Sequence, residues 1–196
     1  MVQTASDMLE LGTAAPDFRL VDAVGGRTFS LADLPQRLPL LVMFLCNHCP
    51  FVVHVRDQFA ELQRDYEGRI SIVAINSNSI ASHPQDGPEH MRDLATRLGW
   101  KFPFLFDSTQ EVAKAYHAAC TPDFFLFESS GGQWRSLVYR GRLDASRPGS
   151  GVPVTGNELR AAIDAVLDGR HVDSDQHPSI GCNIKWAPGN EPDYFG

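Results

Sequence analysis

The chain has 196 residues, 43% of them hydrophobic and 21% charged, which suits one domain with a full core. Its 17 basic and 24 acidic residues leave a net charge of −7, and with no Lys/Arg cluster this argues against nucleic acid or an anionic membrane as the main partner. No apolar stretch approaches the ~20 residues of a spanning helix, and residues 1–7 carry neither a basic start nor an apolar run, so a cytoplasmic location is expected. In chain order, residues 18–21 and 28–31 straddle Gly25-Gly26 as a hairpin. Residues 40–45 are a short, uncharged apolar run behind Pro39 and predict a buried strand. From Pro50, the apolar Val52, Val53, Val55, Phe59 and Leu62 recur with charged residues between them, predicting one helix that Gly68 closes. Residues 69–76 predict a second buried strand, and the polar, proline-bearing stretch 77–88 a loop. A helix over 89–98, a short strand at 104–106 and a helix over 109–117 follow. Residues 123–127 and 135–140 flank Gly131-Gly132 as an antiparallel hairpin, and a helix over 156–167 closes the domain. The expected division is a domain over 1–169 and a C-terminal tail over 170–196, rich in Pro and Gly, packed on it.

The chemistry is concentrated at Cys46-Asn47-His48-Cys49, followed by Pro50. Four cysteines are too few for a disulfide framework in a chain of this size, so two thiols two residues apart are catalytic or metal-binding before they are structural. Their place between a strand and a helix favours a thiolate, because free N–H groups and the positive end of the helix dipole lie there. Cys46 is then the nucleophile, with a pKa below the free-thiol value of roughly 8.5. Cys49 resolves the mixed disulfide. Pro50 gives up an N–H that the first helical turn does not use. His48 tunes the Cys46 thiolate by charge or hydrogen bonding, giving a couple less reducing than thioredoxin's roughly −270 mV.

Strand, CxxC, helix, strand, helix, then Thr121-Pro122 leading a strand into a hairpin and a last helix: in this order the sequence resembles the thioredoxin superfamily. The resemblance implies an α/β fold with a central mixed sheet flanked by helices, here with an N-terminal hairpin and a C-terminal extension. It also implies a cis bond at Pro122 facing the CxxC, with the Thr121 backbone pairing an extended substrate segment. GTAAPDF at 12–18 and SLADL at 30–34 are similar to the opening of the AhpC/TSA and peroxiredoxin branch. Together with CNHCPF at 46–51, CTPDFFLF at 120–127, YRGR at 139–142 and PSIGCNIKW at 178–186, the chain resembles the peroxiredoxin-like group of thioredoxin-family proteins that carries a CxxC. It departs from true peroxiredoxins. Their Pro-x-x-x-Thr-x-x-Cys pattern, ending on Cys49, meets Val42 and Cys46 at the proline and threonine positions, leaving Arg140 or Arg142 as the available activating charge. The buried acid of thioredoxins, six residues before the first cysteine, is Leu40 here. The deprotonation of Cys49 then falls to His48, a water or a carboxylate elsewhere.

The function expected is thiol:disulfide exchange, with a protein or small-molecule disulfide as substrate, a thiol electron donor and no cofactor or metal, in a monomer or homodimer. A thiol-dependent peroxidase, with antioxidant activity, is the alternative within enzymes. A metal-binding or copper-delivery module is the alternative of another class, with Cys46 and Cys49 completed by His48, His54 or His177 and Cys182. For Cys120 and Cys182 three readings stand open: both reduced, with Cys120 a small buried apolar residue; a disulfide between them that pins the tail; or a relay exchanging with the Cys46/Cys49 pair.

Overall fold

The computed structural model describes residues 3–129 and 135–195; the predicted Gly131-Gly132 turn lies outside them. In chain order the strands are β1 (Gln3–Ala5), β2 (Arg19–Asp22), β3 (Thr28–Ser30), β4 (Leu40–Phe44), β5 (Ser71–Asn76), β6 (Phe104–Phe106), β7 (Cys120–Thr121), β8 (Asp123–Ser129), β9 (Arg135–Gly141) and β10 (Ile180–Asn183). The helices are α1 (Pro50–Val55), α2 (Asp57–Asp65), α3 (Pro88–Leu98), α4 (Glu111–Ala115) and α5 (Asn157–Leu167). Seven strands form one mixed sheet in the order β3-β2-β6-β5-β4-β8-β9. Strands β4, β5 and β6 run parallel, while β2, β8 and β9 pair antiparallel.

Strand β4 sits fifth from the hairpin side and third from the other, and all five of its residues are buried. Its continuous apolar run follows from this, since alternate side chains enter two different cores. Leu41 and Met43 meet Val52, Phe59, Leu62, Met91 and Ile163 from α1, α2, α3 and α5. Leu40, Val42 and Phe44 meet Tyr116 beside α4 and Phe18 and Phe29 from the N-terminal hairpin. The sheet is therefore covered on both faces, and the site lies where β4 leaves it.

The helix predicted from Pro50 onward is two helices. Arg56, with φ −60° and ψ −26°, joins α1 to α2, so the chain bends there without leaving helical space. Both pieces keep their apolar residues on the sheet: Val52 and Val55, then Phe59 and Leu62.

The tail is drawn into the fold. Strand β10 lies between β1 and β7 in a second, three-stranded antiparallel sheet. Beyond it Ile184 and Trp186 are buried in the same core as Tyr116 and Phe125. Such apolar burial stabilises by about 1.5–3 kcal/mol per large side chain. Gly141, at φ +127°, makes room for the tail's entry, because a methyl group there would lie 2.1 Å from the His177 carbonyl oxygen. No helix among the described residues is long and apolar enough to cross a membrane.

Candidate active site

Leu45 makes the last bond to the sheet, donating its N–H to Ile75 O at 2.9 Å, and the chain then turns through Cys46–Cys49 into α1. Cys49 is the helix N-cap, with Pro50 next, and Val53 N–H donates to Cys49 O at 2.9 Å as the first helical bond. The helix terminus thus begins at the second cysteine, and Cys46 stands three residues outside it.

Both sulfurs face β7. Cys46 Sγ lies 3.3 Å from Thr121 Oγ1, and Cys49 Sγ lies 3.2 Å from Thr121 O. The Thr121–Pro122 peptide bond is cis. The third sulfur is Cys182, whose Sγ is 2.6 Å from Cys49 Sγ. None is open to solvent: Cys46 is 1%, Cys49 0% and Cys182 2% exposed.

The expected low pKa of Cys46 is overturned. Its hydrogen bond to Cys49, its burial and the nearby Asp86 charge all push the Cys46 thiol well above its ordinary value. The depressed group is Cys49. Its contacts with the Cys182 and Cys46 sulfurs, with smaller help from the Val52 and Cys182 backbone, outweigh burial there. Its contact with Cys49, then burial, pushes the Cys182 thiol up. Of the three sulfurs, Cys49 lies at the helix N-terminus, where the helix dipole favours negative charge.

Asp86 is a part of the site that the sequence did not mark. It is fully buried in the 77–88 loop. It accepts Asn47 N–H at 2.9 Å and Asn78 Nδ2 at 2.8 Å, and His48 Nδ1 stands 2.7 Å from its Oδ2. Asn76 Nδ2 donates to its backbone carbonyl at 2.7 Å. His48 thus lies against a carboxylate and is stacked on His83 at 5.0 Å between ring centroids. Burial, then the neighbouring His48, lowers the His83 pKa. Donor atoms of Cys46, His48 and Asp86 all lie within 4.8 Å of one another.

Several other sequence candidates are occupied away from the sulfurs. His54 Nε2 meets Ser146 Oγ at 2.7 Å, and His177 Nδ1 stands 3.3 Å from Glu158, so neither completes a cluster with the CxxC. Arg142 binds Glu158 through two nitrogens, and Arg140 binds Gln176 and the Leu9 carbonyl. The activating arginine expected of a peroxidase is therefore turned elsewhere. Cys120 does not meet Cys182: Cys182 pairs with Thr121 and Cys120 with Asn183, and neighbouring residues of a strand point to opposite faces. That register does not support a disulfide between Cys120 and Cys182. Burial, followed by the Asp123 charge, pushes the Cys120 thiol well up. Asp123, directly after Pro122, is fully buried; burial raises its carboxyl to about 7, against the pull of the Ser6 hydroxyl 2.9 Å away.

No curated protein matches the chain. Among solved structures, an uncharacterized conserved protein from Geobacillus kaustophilus is 49% identical with a TM-score of 0.92, covering 96% of this chain and 98% of its own. A hypothetical protein from Sinorhizobium meliloti 1021 is 50% identical with a TM-score of 0.90, covering 95% of this chain and 100% of its own. A thiol:disulfide interchange protein of the thioredoxin family from Chlorobium tepidum TLS, 16% identical with a TM-score of 0.60, covers 81% of this chain and 98% of its own and shares the fold. Residues 10–153 match the Redoxin family. That match takes in the N-terminal hairpin, the CxxC turn and the cis-proline loop, and with it the chain belongs to the Redoxin family on a thioredoxin fold.

Proposed function

We infer that this protein is a thiol:disulfide oxidoreductase working through a Cys46/Cys49 dithiol–disulfide couple. The observation that carries the reading is the position of both sulfurs against one residue: Thr121 offers its hydroxyl to Cys46 and its carbonyl to Cys49, at 3.3 and 3.2 Å. The two thiols share one hydrogen bond in the closed site. Moving the shared proton from Cys46 to Cys49 leaves Cys46 as thiolate. The Thr121 hydroxyl then donates to Cys46, and the Cys49 thiol donates to the Thr121 carbonyl. Cys46 attacks a disulfide, one sulfur of which leaves as thiolate and takes up a proton. Cys49 gives up its proton, attacks Cys46 Sγ, and expels the second thiol, closing the Cys46–Cys49 bond. Two electrons pass from the couple to the substrate. Because all three sulfurs are buried, a protein disulfide reaches Cys46 only when the segments packed around it shift.

A metal reading draws on the convergence of Cys46, His48 and Asp86. Against it, His48 Nδ1 and Asp86 Oδ2 are 2.7 Å apart. That is shorter than the about 3.3 Å between two ligands at ~2.0 Å from a tetrahedral ion. Insulin reduction with a dithiol donor, peroxide consumption and metal content, measured on one preparation, separate the readings. Disulfide reduction that disappears in Cys46→Ser and Cys49→Ser is the expected result. Stoichiometric metal, or peroxide turnover without disulfide reduction, would replace it.

A further inference from the structure

The edge of β7 is already occupied. Strand β10 pairs with it antiparallel, Cys182 opposite Thr121 and Asn183 opposite Cys120, and Ile184 N–H donates to Ala119 O at 3.0 Å. The approach is close enough to need glycine: a methyl group at Gly181 would lie 2.0 Å from the Thr121 carbonyl oxygen. Paired residues in adjacent strands share a face, so this register places Cys182 on the Thr121 side, where Cys46 and Cys49 lie. Its Sγ is 2.6 Å from Cys49 Sγ, about half an ångström beyond the ~2.05 Å of a disulfide. An extended segment paired to the residue before the cis-proline, presenting a cysteine to the couple, is the arrangement of a bound substrate strand. Here the chain supplies that strand itself.

The tail is also fixed on its far side. Ser79 N–H donates to Lys185 O at 2.7 Å, and Lys185 N–H donates to Asn78 Oδ1 at 2.8 Å. Cys182 is therefore pre-positioned and needs no large movement to react. We propose that Cys182 is a third redox thiol, and that β10 is a resident substrate strand which takes over the disulfide from the Cys46/Cys49 couple. The proposal rests on that couple being redox-active. Its step is an intramolecular exchange. Cys182, as thiolate, attacks Cys49 Sγ of the Cys46–Cys49 disulfide; the Cys49–Cys182 bond forms, the Cys46–Cys49 bond breaks, and Cys46 leaves as thiolate, taking the proton that Cys182 lost. No further oxidant is consumed. The product has β10 bonded to the start of α1 and Cys46 reduced again.

Peptide mapping tests this directly, because Cys46 and Cys49 share one tryptic peptide and Cys182 lies on another. The reduced full-length protein is treated with oxidised glutathione, quenched in acid, alkylated and digested. The expected result is that most oxidised molecules carry a Cys49–Cys182 cross-link with Cys46 alkylated, and that Cys182→Ser stops at a Cys46–Cys49 bond. Wild-type protein that closes Cys46–Cys49 while Cys182 stays alkylated would overturn the relay and leave the couple standing. Wild-type protein that forms neither bond would overturn both. Since the deciding measurement is made on the wild type, it does not depend on how well a variant folds.

Discussion

Asp86 is the residue on which the site's electrostatics turn. It is wholly buried, accepts hydrogen bonds from Asn47 and Asn78, lies 2.7 Å from His48, and places its charge beside Cys46. A carboxylate near a thiol disfavours the thiolate. In Asp86→Asn the charge is gone, so Cys46 should ionise at lower pH. The midpoint of Cys46 alkylation against pH, read by peptide mass in a Cys49→Ser background with and without the second change, is expected to fall. The same substitution turns an acceptor into a partial donor facing Asn47 N–H and Asn78 Nδ2, and is expected to cost about 1–3 kcal/mol of stability. An unmoved midpoint would mean that the Asp86 charge does not reach the sulfur. Cys46, Cys49 and Pro50 were legible in the sequence because spacing and helix-start chemistry mark them. Asp86 was not: it is one acid in a polar loop, and only the closing of that loop over Asn47 buries it. Which cysteine sits at the helix terminus was also misjudged, since it depends on the N-cap falling on Cys49 and not three residues earlier.

At the level of elements, the long apolar runs of β4 and β5 and the helical spacing of α3 and α5 announced themselves, because each buries a periodic set of side chains. Strands β1, β7 and β10 did not. They have three, two and four residues, too few for a period, and they exist because they pair with one another. Yet β10 decides what the site touches, so the tail's path was the main gap in the sequence reading. Gly181 is the point at which that path can be broken. An alanine methyl group there meets backbone at 2.0 Å, and neither strand has a flexible side chain to yield at that point. Gly181→Ala is therefore expected to lift β10 off β7, draw Cys182 away from Cys49 and expose the couple. Alkylation of Cys46 and Cys49 under native conditions should speed up by at least about tenfold, the equivalent of about 1.4 kcal/mol in the opening equilibrium. The Cys49–Cys182 cross-link should be lost while Cys46–Cys49 still closes. Rates equal to wild type would show that β10 does not guard the sulfurs.

For the molecule as a whole, the two disulfides open to this thiol cluster have very different consequences for stability. A Cys46–Cys49 bond closes a loop of only four residues at the start of α1, and it constrains the unfolded chain little. A Cys49–Cys182 bond joins residues separated by 133 positions, and ties the small sheet and the end of the chain to the helix that caps the main sheet. Cross-links of that span commonly stabilise by about 2–4 kcal/mol through the entropy removed from the unfolded state. In a domain of this size each kcal/mol moves the melting temperature by roughly 2–4 °C, so the oxidised protein is expected to melt roughly 5–15 °C above the reduced one. Cys182→Ser should abolish the difference, and Cys46→Ser should abolish it too, since Cys182 takes its bond over from the Cys46–Cys49 disulfide. Thermal unfolding followed by circular dichroism, with the redox state fixed by alkylation or by excess dithiol, reads all three. Equal melting temperatures for oxidised and reduced wild type would mean that the oxidised bond stays within the CxxC turn. Because β1's one strand partner among the described residues is β10, locking β10 also locks β1, and its amide protons should exchange more slowly in the oxidised protein than in the reduced one.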